Sequence, residues 1–277
     1  MKEEHQELPQ DGYFDMTHAE ADEVLEDVAY YRTLMANVGF IGKPGSKEWV
    51  LVDCGINHYA KRIIEAAEKR YGPEPPQAII LTHGHFDHIG SAKKLAQHYK
   101  TPIYAHEKEL DYLTGKRSYP VGNSTVGGGL LAVLSPFFPT EPVNLKKWVH
   151  PLPKDGSIPF SNEWRVIHTP GHTPGHISLF RDRDRTLIAG DAFITVKQES
   201  SMAAFIQHQH VHGPPAYFTP NWPEAERSVK KLAALNPVTA LTGHGLPMDG
   251  ELLQEQLSHL ALNFKELAIP NNQSKLH

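Results

Sequence analysis

With 277 residues, 40% of them hydrophobic and 21% charged, the chain has an ordinary globular composition and enough length to bury a substantial core. A formal net charge of −5 without a basic cluster excludes nucleic acid as a standing partner, and no apolar run nears the roughly 20 residues of a membrane-spanning helix. The single cysteine, Cys54, excludes an intrachain disulfide framework; because the opening M-K-E-E-H-Q-E-L-P-Q also lacks an apolar signal core, a soluble cytoplasmic protein is expected.

Residues 1–20 read as a partly loose N-terminal segment and residues 21–277 as a single domain. Residues 28–35, 38–41 and 49–52 read as strands, the last two joined by the turn K-P-G-S, which starts an antiparallel sheet. The third runs into Asp53, a turn-type aspartate, and Cys54, a small residue with no basic partner to activate it. Residues 58–71 place Ile63, Ile64 and Ala67 at helical spacing, and Gly72 closes the helix.

The apolar run 78–81 is short enough for a buried strand and stops at T-H-G-H-F-D-H. Side chains alternate along an extended backbone, so His83 and His85 fall on one side and can share a cation. Asp87 and His88 follow where the chain bends toward a helix over 91–99, and Gly84 permits a tight path. Imidazole nitrogen and carboxylate oxygen are the donors that borderline divalent ions prefer, so four such residues within positions 83–88 point to a metal site.

Residues 101–105 then read as strand and 107–113 as helix; strands followed by helices imply a sheet covered by helices. Residues 115–153, turn-rich and then apolar without a long period, read as a lid-like insertion. Residues 164–168 and 177–180 are strands joined by T-P-G-H-T-P-G-H, which carries His172 and His176, and the strand 186–189 ends in G-D-A at Asp191. A second insertion spans 193–222; its His208, His210 and His212 alternate, but no carboxylate or cysteine joins them, so a solvent-facing or pocket-lining row is expected. A helix over 222–236, a strand over 238–241 ending in T-G-H-G at His244, and an amphipathic helix over 251–267 complete the chain.

The motif H-G-H-F-D-H resembles the H-x-H-x-D-H signature of the metallo-β-lactamase-fold hydrolases, and the resemblance extends over residues 28–267 with every ligand position filled in order. It implies an α/β (α+β) fold, a four-layer αββα sandwich of two mixed β-sheets flanked by helices. By the same resemblance His83, His85 and His172 hold one metal ion, Asp87, His88 and His244 hold a second, and Asp191 bridges them. Asp53 then supports the site without ligating, and His176 matches no ligand and is read as core or loop packing, with support of the site as the alternative. The implied cofactors are two Zn2+, with iron or manganese as alternatives. The implied activity is hydrolysis of a small-molecule ester, lactone or thioester by a hydroxide shared between the ions, with Asp87 orienting it and carrying a proton to the leaving group.

Two other readings stay open: a mononuclear-iron persulfide dioxygenase, whose branch keeps the same histidines, and a phosphodiesterase. Glyoxalase II shares the ligand set but carries a helical domain where only one helix and a short tail follow His244 here. Quorum-quenching lactonases place a tyrosine three residues after the bridging aspartate, where this chain has Ile194. A true β-lactamase would usually lack the bridging aspartate. Residues 130–138 with Phe193, Phe205, Tyr217, Phe218 and Trp222 read either as a pocket for a partly apolar substrate or as core. Nothing in the sequence sets an oligomeric state.

Overall fold

Two sheets form from the strand-rich stretches. The computed structural model describes residues 19–126, 129–140, 143–196 and 209–270; residues 1–18, Phe205 and His208 therefore lie outside the described residues. The first sheet runs in chain order: β1 (Asp22–Leu25), β2 (Val28–Thr33), β3 (Ala36–Ile41), β4 (Val50–Val52), β5 (Ala78–Ile80), β6 (Ile103–Ala105) and β7 (Val149–Pro151). Strands β1 to β4 pair antiparallel through short turns, and β4 to β7 pair parallel. Parallel pairing needs a crossover, here α1 (Ala60–Tyr71) between β4 and β5 and α2 (Phe86–Ile89) with α3 (Ala92–Tyr99) between β5 and β6. After β6 come a 3-10 turn (Glu107–Glu109), α4 (Leu110–Leu113) and α5 (Gly129–Leu134).

The second sheet comprises β8 (Ser157–Ile158), β9 (Ser161–His168), β10 (Ile177–Arg181), β11 (Thr186–Gly190), β12 (Thr239–Thr242) and β13 (Met248–Asp249), ordered β13-β12-β11-β10-β9-β8. Only β11 and β12 pair parallel, and α6 (Trp222–Ala234) makes that crossover. Asn221 caps α6, its side chain accepting from the Glu224 N–H at 3.2 Å, and Pro223 occupies the first turn, where no backbone donor is needed. Helices α7 (Gly250–Leu262) and α8 (Phe264–Leu267) follow.

Three apolar clusters show the layering. Val28, Val50, Val52 and Ile80 of the first sheet meet Ile177, Leu179, Ile188 and Leu241 of the second in the central core. On the outer face of the first sheet, Phe40, Leu51 and Ile79 pack against Ile63, Ala67 and Leu95 of α1 and α3. On the outer face of the second, Phe180, Leu187 and Ala240 pack against Trp222, Val229, Leu253 and Leu257 of α6 and α7. This is the expected αββα sandwich. Each strand faces the central core with one set of side chains and a helix layer with the alternate set, which is why the strands read as continuous apolar runs.

Details depart from the sequence reading. The strand expected over 28–35 ends at Thr33 because Leu34 turns with φ 70°, and β3 begins at Ala36. The final helix is two, broken at Asn263, and 107–113 opens as a 3-10 turn capped by the His106 ring, which accepts from the Lys108 N–H. Among the described residues no helix is long and apolar enough to cross a membrane.

Candidate metal centre

The loops leaving β4, β5, β10's predecessor β9, β11 and β12 carry Asp53, then His83 to His88, then His172, Asp191 and His244 to one place. The side chains of Asp53, His83, His85, Asp87, His88, His172, Asp191 and His244 are all buried. His85 stands in extended backbone (φ −69°, ψ 153°) as the N-cap of α2, so Asp87 and His88 belong to that single helical turn rather than to the later helix. The structure thus brings together all seven residues picked out in the sequence.

The donor atoms converge. His85 Nδ1 lies 3.1 Å from His83 Nε2 and 2.9 Å from His172 Nε2. Asp191 Oδ2 lies 3.3 Å from His172 Nε2 and 3.1 Å from His244 Nε2, while Asp191 Oδ1 lies 3.6 Å from His88 Nε2. Asp87 Oδ2 lies 3.5 Å from His244 Nε2 and 4.0 Å from His88 Nε2. Ligands sharing one tetrahedral cation at bonds of about 2.0–2.1 Å stand about 3.3 Å apart, so this spacing fits a metal.

The outward ring nitrogens say what the inward ones offer. Thr82 Oγ1 donates to Asp53 Oδ2 at 2.7 Å, so it accepts from His83 Nδ1 at 3.0 Å. Thr219 Oγ1 donates to the Pro215 carbonyl at 2.8 Å and accepts from His172 Nδ1 at 3.2 Å. His88 Nδ1 donates to Asp53 Oδ2 at 2.9 Å, and His244 Nδ1 to the Met35 carbonyl at 2.8 Å. With those protons engaged outward, four Nε2 atoms face the centre, and each would offer its lone pair to a bound cation. Lone pairs cannot hydrogen-bond one another, and buried His88 Nε2 and Asp191 Oδ1 have no hydrogen-bond partner. Such orphaned groups cost roughly 1–3 kcal/mol each, a penalty that a bound cation removes.

The two sides differ in charge. Burial first, then His88, His85 and His172, holds His83 well below the usual imidazole range; burial and then His172 do the same to His85. On the acidic side burial also penalises the charged form of His88, yet Asp191, Asp87 and Asp53 outweigh it and lift His88 well above that range. Against burial, Asp191 likewise raises His244, while His244 and His88 hold the Asp191 carboxyl well below the usual carboxylate range. His83 and His85 are thus held neutral, while His88 and His244 draw positive charge.

Two glycines make room for the bridging position. Gly190 adopts φ 55°, and a Cβ there would stand 2.7 Å from His176 Nε2. Gly243 lies so close to Asp191 that any Cβ would overlap the carboxylate.

Over residues 31–244 the chain matches the family model described as "Metallo-beta-lactamase superfamily". The chain belongs to the metallo-beta-lactamase superfamily. This member is 49% identical over 229 residues to the "Probable metallo-hydrolase YflN" of Bacillus subtilis (strain 168), covering 82% of this chain and 87% of that protein. It is 30% identical to the "Hydroxyacylglutathione hydrolase GloC" of Haemophilus influenzae over 42% of this chain and 49% of that protein. In fold it is similar to TTHA1623, whose crystal structure is "in a di-iron-bound form", with a TM-score of 0.53, 22% identity, and coverage of 82% of this chain and 96% of that one. Membership and the names of its relatives make the chain a metal-dependent hydrolase.

Other parts of this superfamily member stand closer to or farther from the centre than the sequence alone showed. His176 is a support, not packing: its Nε2 accepts from the Asp191 backbone N–H at 2.9 Å, and its Nδ1 faces Thr169 Oγ1 at 2.8 Å. Asp53 is the expected non-ligating support. Cys54 is buried and unpaired, and burial pushes its thiol well up. His210 and His212 stand side by side, ring centroids 4.9 Å apart, and no metal-ligating group among the described residues includes them. Of the aromatic residues, Phe193, Tyr217 and Trp222 are core behind the second sheet. Among the described residues of that set, Phe218 reaches the centre, 4.9 Å from the His85 ring, with Phe138 and Phe86 beside it. Thr219 and the Met35 carbonyl carried no sequence signal, because the imidazoles they meet are 47 and 209 residues away; Thr82 adjoins His83, but its bond to Asp53 spans 29 residues.

Proposed function

We propose that this protein is a binuclear hydrolase of small-molecule esters, lactones or thioesters, with zinc as its resident metal. The observation that carries this reading is Asp191: one carboxylate lies between two groups of donors, its two oxygens facing different imidazoles. His83, His85 and His172 would hold one ion, Asp87, His88 and His244 the other, and Asp191 both. Histidine-rich donors with a terminal carboxylate suit zinc. Bound there, the ions supply a water acidified toward neutral pH and positive charge for the developing substrate oxyanion.

The protein's own groups supply the rest. Asp87 enters the centre from the first turn of α2, and its carboxylate accepts the proton of the attacking water and returns it to the leaving oxygen or sulfur. Phe86, Phe138 and Phe218 form an aromatic cluster against His85, with centroid separations of 5.3 Å for Phe86–Phe138 and 6.1 Å for Phe138–Phe218. Such a wall excludes water and favours substrates with an apolar part. The name of the Haemophilus relative supports a thioester among the candidates. Buried, unpaired Cys54 supports a reducing, cytoplasmic setting.

The test is elemental analysis of the purified protein together with hydrolysis of an ester, lactone, thioester and phosphodiester panel, with and without added zinc. Two zincs per chain and zinc-dependent turnover of the carbonyl substrates are expected. Preference for phosphodiesters would replace the substrate class, and one iron per chain with oxygen uptake in place of hydrolysis would overturn the reading in favour of a persulfide dioxygenase.

A further inference from the structure

Behind the three-histidine side of the centre lies a second buried carboxylate. Glu109, the last residue of the 3-10 turn after β6, is fully buried, and no ion pair joins it to a lysine or arginine among the described residues. Four donors surround its two oxygens. The Thr173 hydroxyl and the Gly175 N–H reach Oε1 at 2.9 and 2.7 Å; the Gly84 N–H reaches Oε2 at 3.0 Å, and the Tyr119 hydroxyl donates to the same oxygen. Four donors match the acceptor capacity of an ionised carboxylate.

Three of the four donors come from two loops distant in sequence, and Tyr119 comes from a third segment. Gly84 sits between His83 and His85; Thr173 follows His172. A single side chain therefore ties the turn bearing two imidazoles of the three-histidine group to the turn bearing the third. The glycines record its closeness: a Cβ on Gly175 would stand 2.8 Å from Glu109 Cγ and Oε1, and one on Gly84 would stand 2.5 Å from the Tyr119 hydroxyl. Tyr119 completes the brace by packing its ring 4.6 Å from that of His85.

We infer that Glu109 is a positioning residue for the His83, His85 and His172 group, fixing the separation of its two loops and placing a buried negative charge behind three neutral ligands. The inference rests on the metal-site reading above. A dication held by neutral imidazoles gains from an anion in the next layer, where low polarity screens little. The Asp87, His88 and His244 group has its own supports, Asp53 and the Met35 carbonyl, and among the described residues Glu109 bonds to Gly84, Tyr119, Thr173 and Gly175 instead. Loss of Glu109 should thus affect one group and spare the other.

The experiment uses the full chain with cobalt as a spectroscopic probe. Wild type, E109Q and E109A are loaded with Co2+ and titrated with a chelator, following metal per chain, the visible absorption of the ions and thermal unfolding. H172A and H244A supply reference spectra for loss of either group. E109Q keeps the shape and the Oε1 contacts but turns an amide N–H toward the Gly84 N–H, so one cobalt should leave at least about tenfold more readily than in wild type. The remaining spectrum should match that of H172A. E109A should retain about one cobalt per chain.

Folded E109Q that releases both ions like wild type overturns the inference, as does equal loosening of both ions, the mark of a merely structural residue. Should E109A fail to fold, E109Q alone decides between these outcomes. A wild type that binds no cobalt overturns the metal-site reading itself, which a wild type with two ions and indifferent Glu109 variants does not.

Discussion

Asp53 Oδ2 and His88 Nδ1 stand 2.9 Å apart, and Thr82 holds Asp53 in that pose through both its hydroxyl and its backbone N–H, each at 2.7 Å. Asp53 sits at φ 61°, a left-handed conformation that asparagine also tolerates. D53N therefore keeps the backbone while removing the charge that orients His88 and enriches its free nitrogen. We expect affinity at the Asp87, His88 and His244 group to fall about tenfold, measured by chelator competition. Wild-type affinity in a folded D53N would remove Asp53 from the site.

Asp87 carries the proton in the proposed reaction. Its side chain enters from a helical turn only four residues long. D87A should lower kcat by a factor on the order of 10² to 10⁴, with little change in Tm. Metal content measured on the same sample separates loss of the proton carrier from loss of a ligand. Substantial turnover at normal metal content would refute the assignment.

Away from the centre, stability depends on a buried guanidinium. Arg181 of β10 binds Asp27 at 2.7 and 3.1 Å, binds Asp184 at 2.7 and 3.0 Å, and lies over the Trp164 ring at 4.9 Å. Asp27 belongs to the β1–β2 turn, so this network ties the first sheet to the second. Removing one partner of a buried ion pair strands the others, at a cost of roughly 3–5 kcal/mol. For R181A a fall in Tm of roughly 6–15 °C follows, with metal stoichiometry unchanged; a shift under about 2 °C would mean that Arg183, which also binds Asp27, carries the contact.

A pH response is expected from the His106–His168 pair, whose rings stack at 4.2 Å. Burial, and then His168, pushes His106 down to about 4 from 6.5. Between those values the unfolded chain binds a proton that the folded chain refuses, so the stability due to neutral His106 is full above about 6.5 and is lost as pH falls toward 4. H106N keeps an acceptor for the Lys108 N–H but cannot titrate. In metal-free protein, Tm between pH 7 and pH 5 should fall less steeply for H106N than for wild type; parallel curves would contradict this.

The candidate site was largely legible in the sequence because its donors cluster where strands stop. T-H-G-H-F-D-H follows a short apolar run and shows its donors by residue chemistry alone, whereas His172, Asp191 and His244, each also past a strand end, were marked as ligands by the family resemblance. The two mixed sheets came from resemblance, which the three core clusters bear out. Strand and helix limits were less legible, since a turn such as that at Leu34 depends on one positive φ in an otherwise apolar stretch.

Residue chemistry and its local order thus settle which atoms are able to bind a cation, because ligand type and strand alternation are properties of short segments. Which atoms support the ligands was settled by packing. Glu109 looks like any helix glutamate in the sequence, and His176 like a repeat of His172, until the loops meet. Their roles arise from contacts between positions 25 and 66 residues apart, as with Glu109 to Gly84 and Gly175, and burial then makes each unpaired donor too costly to leave open.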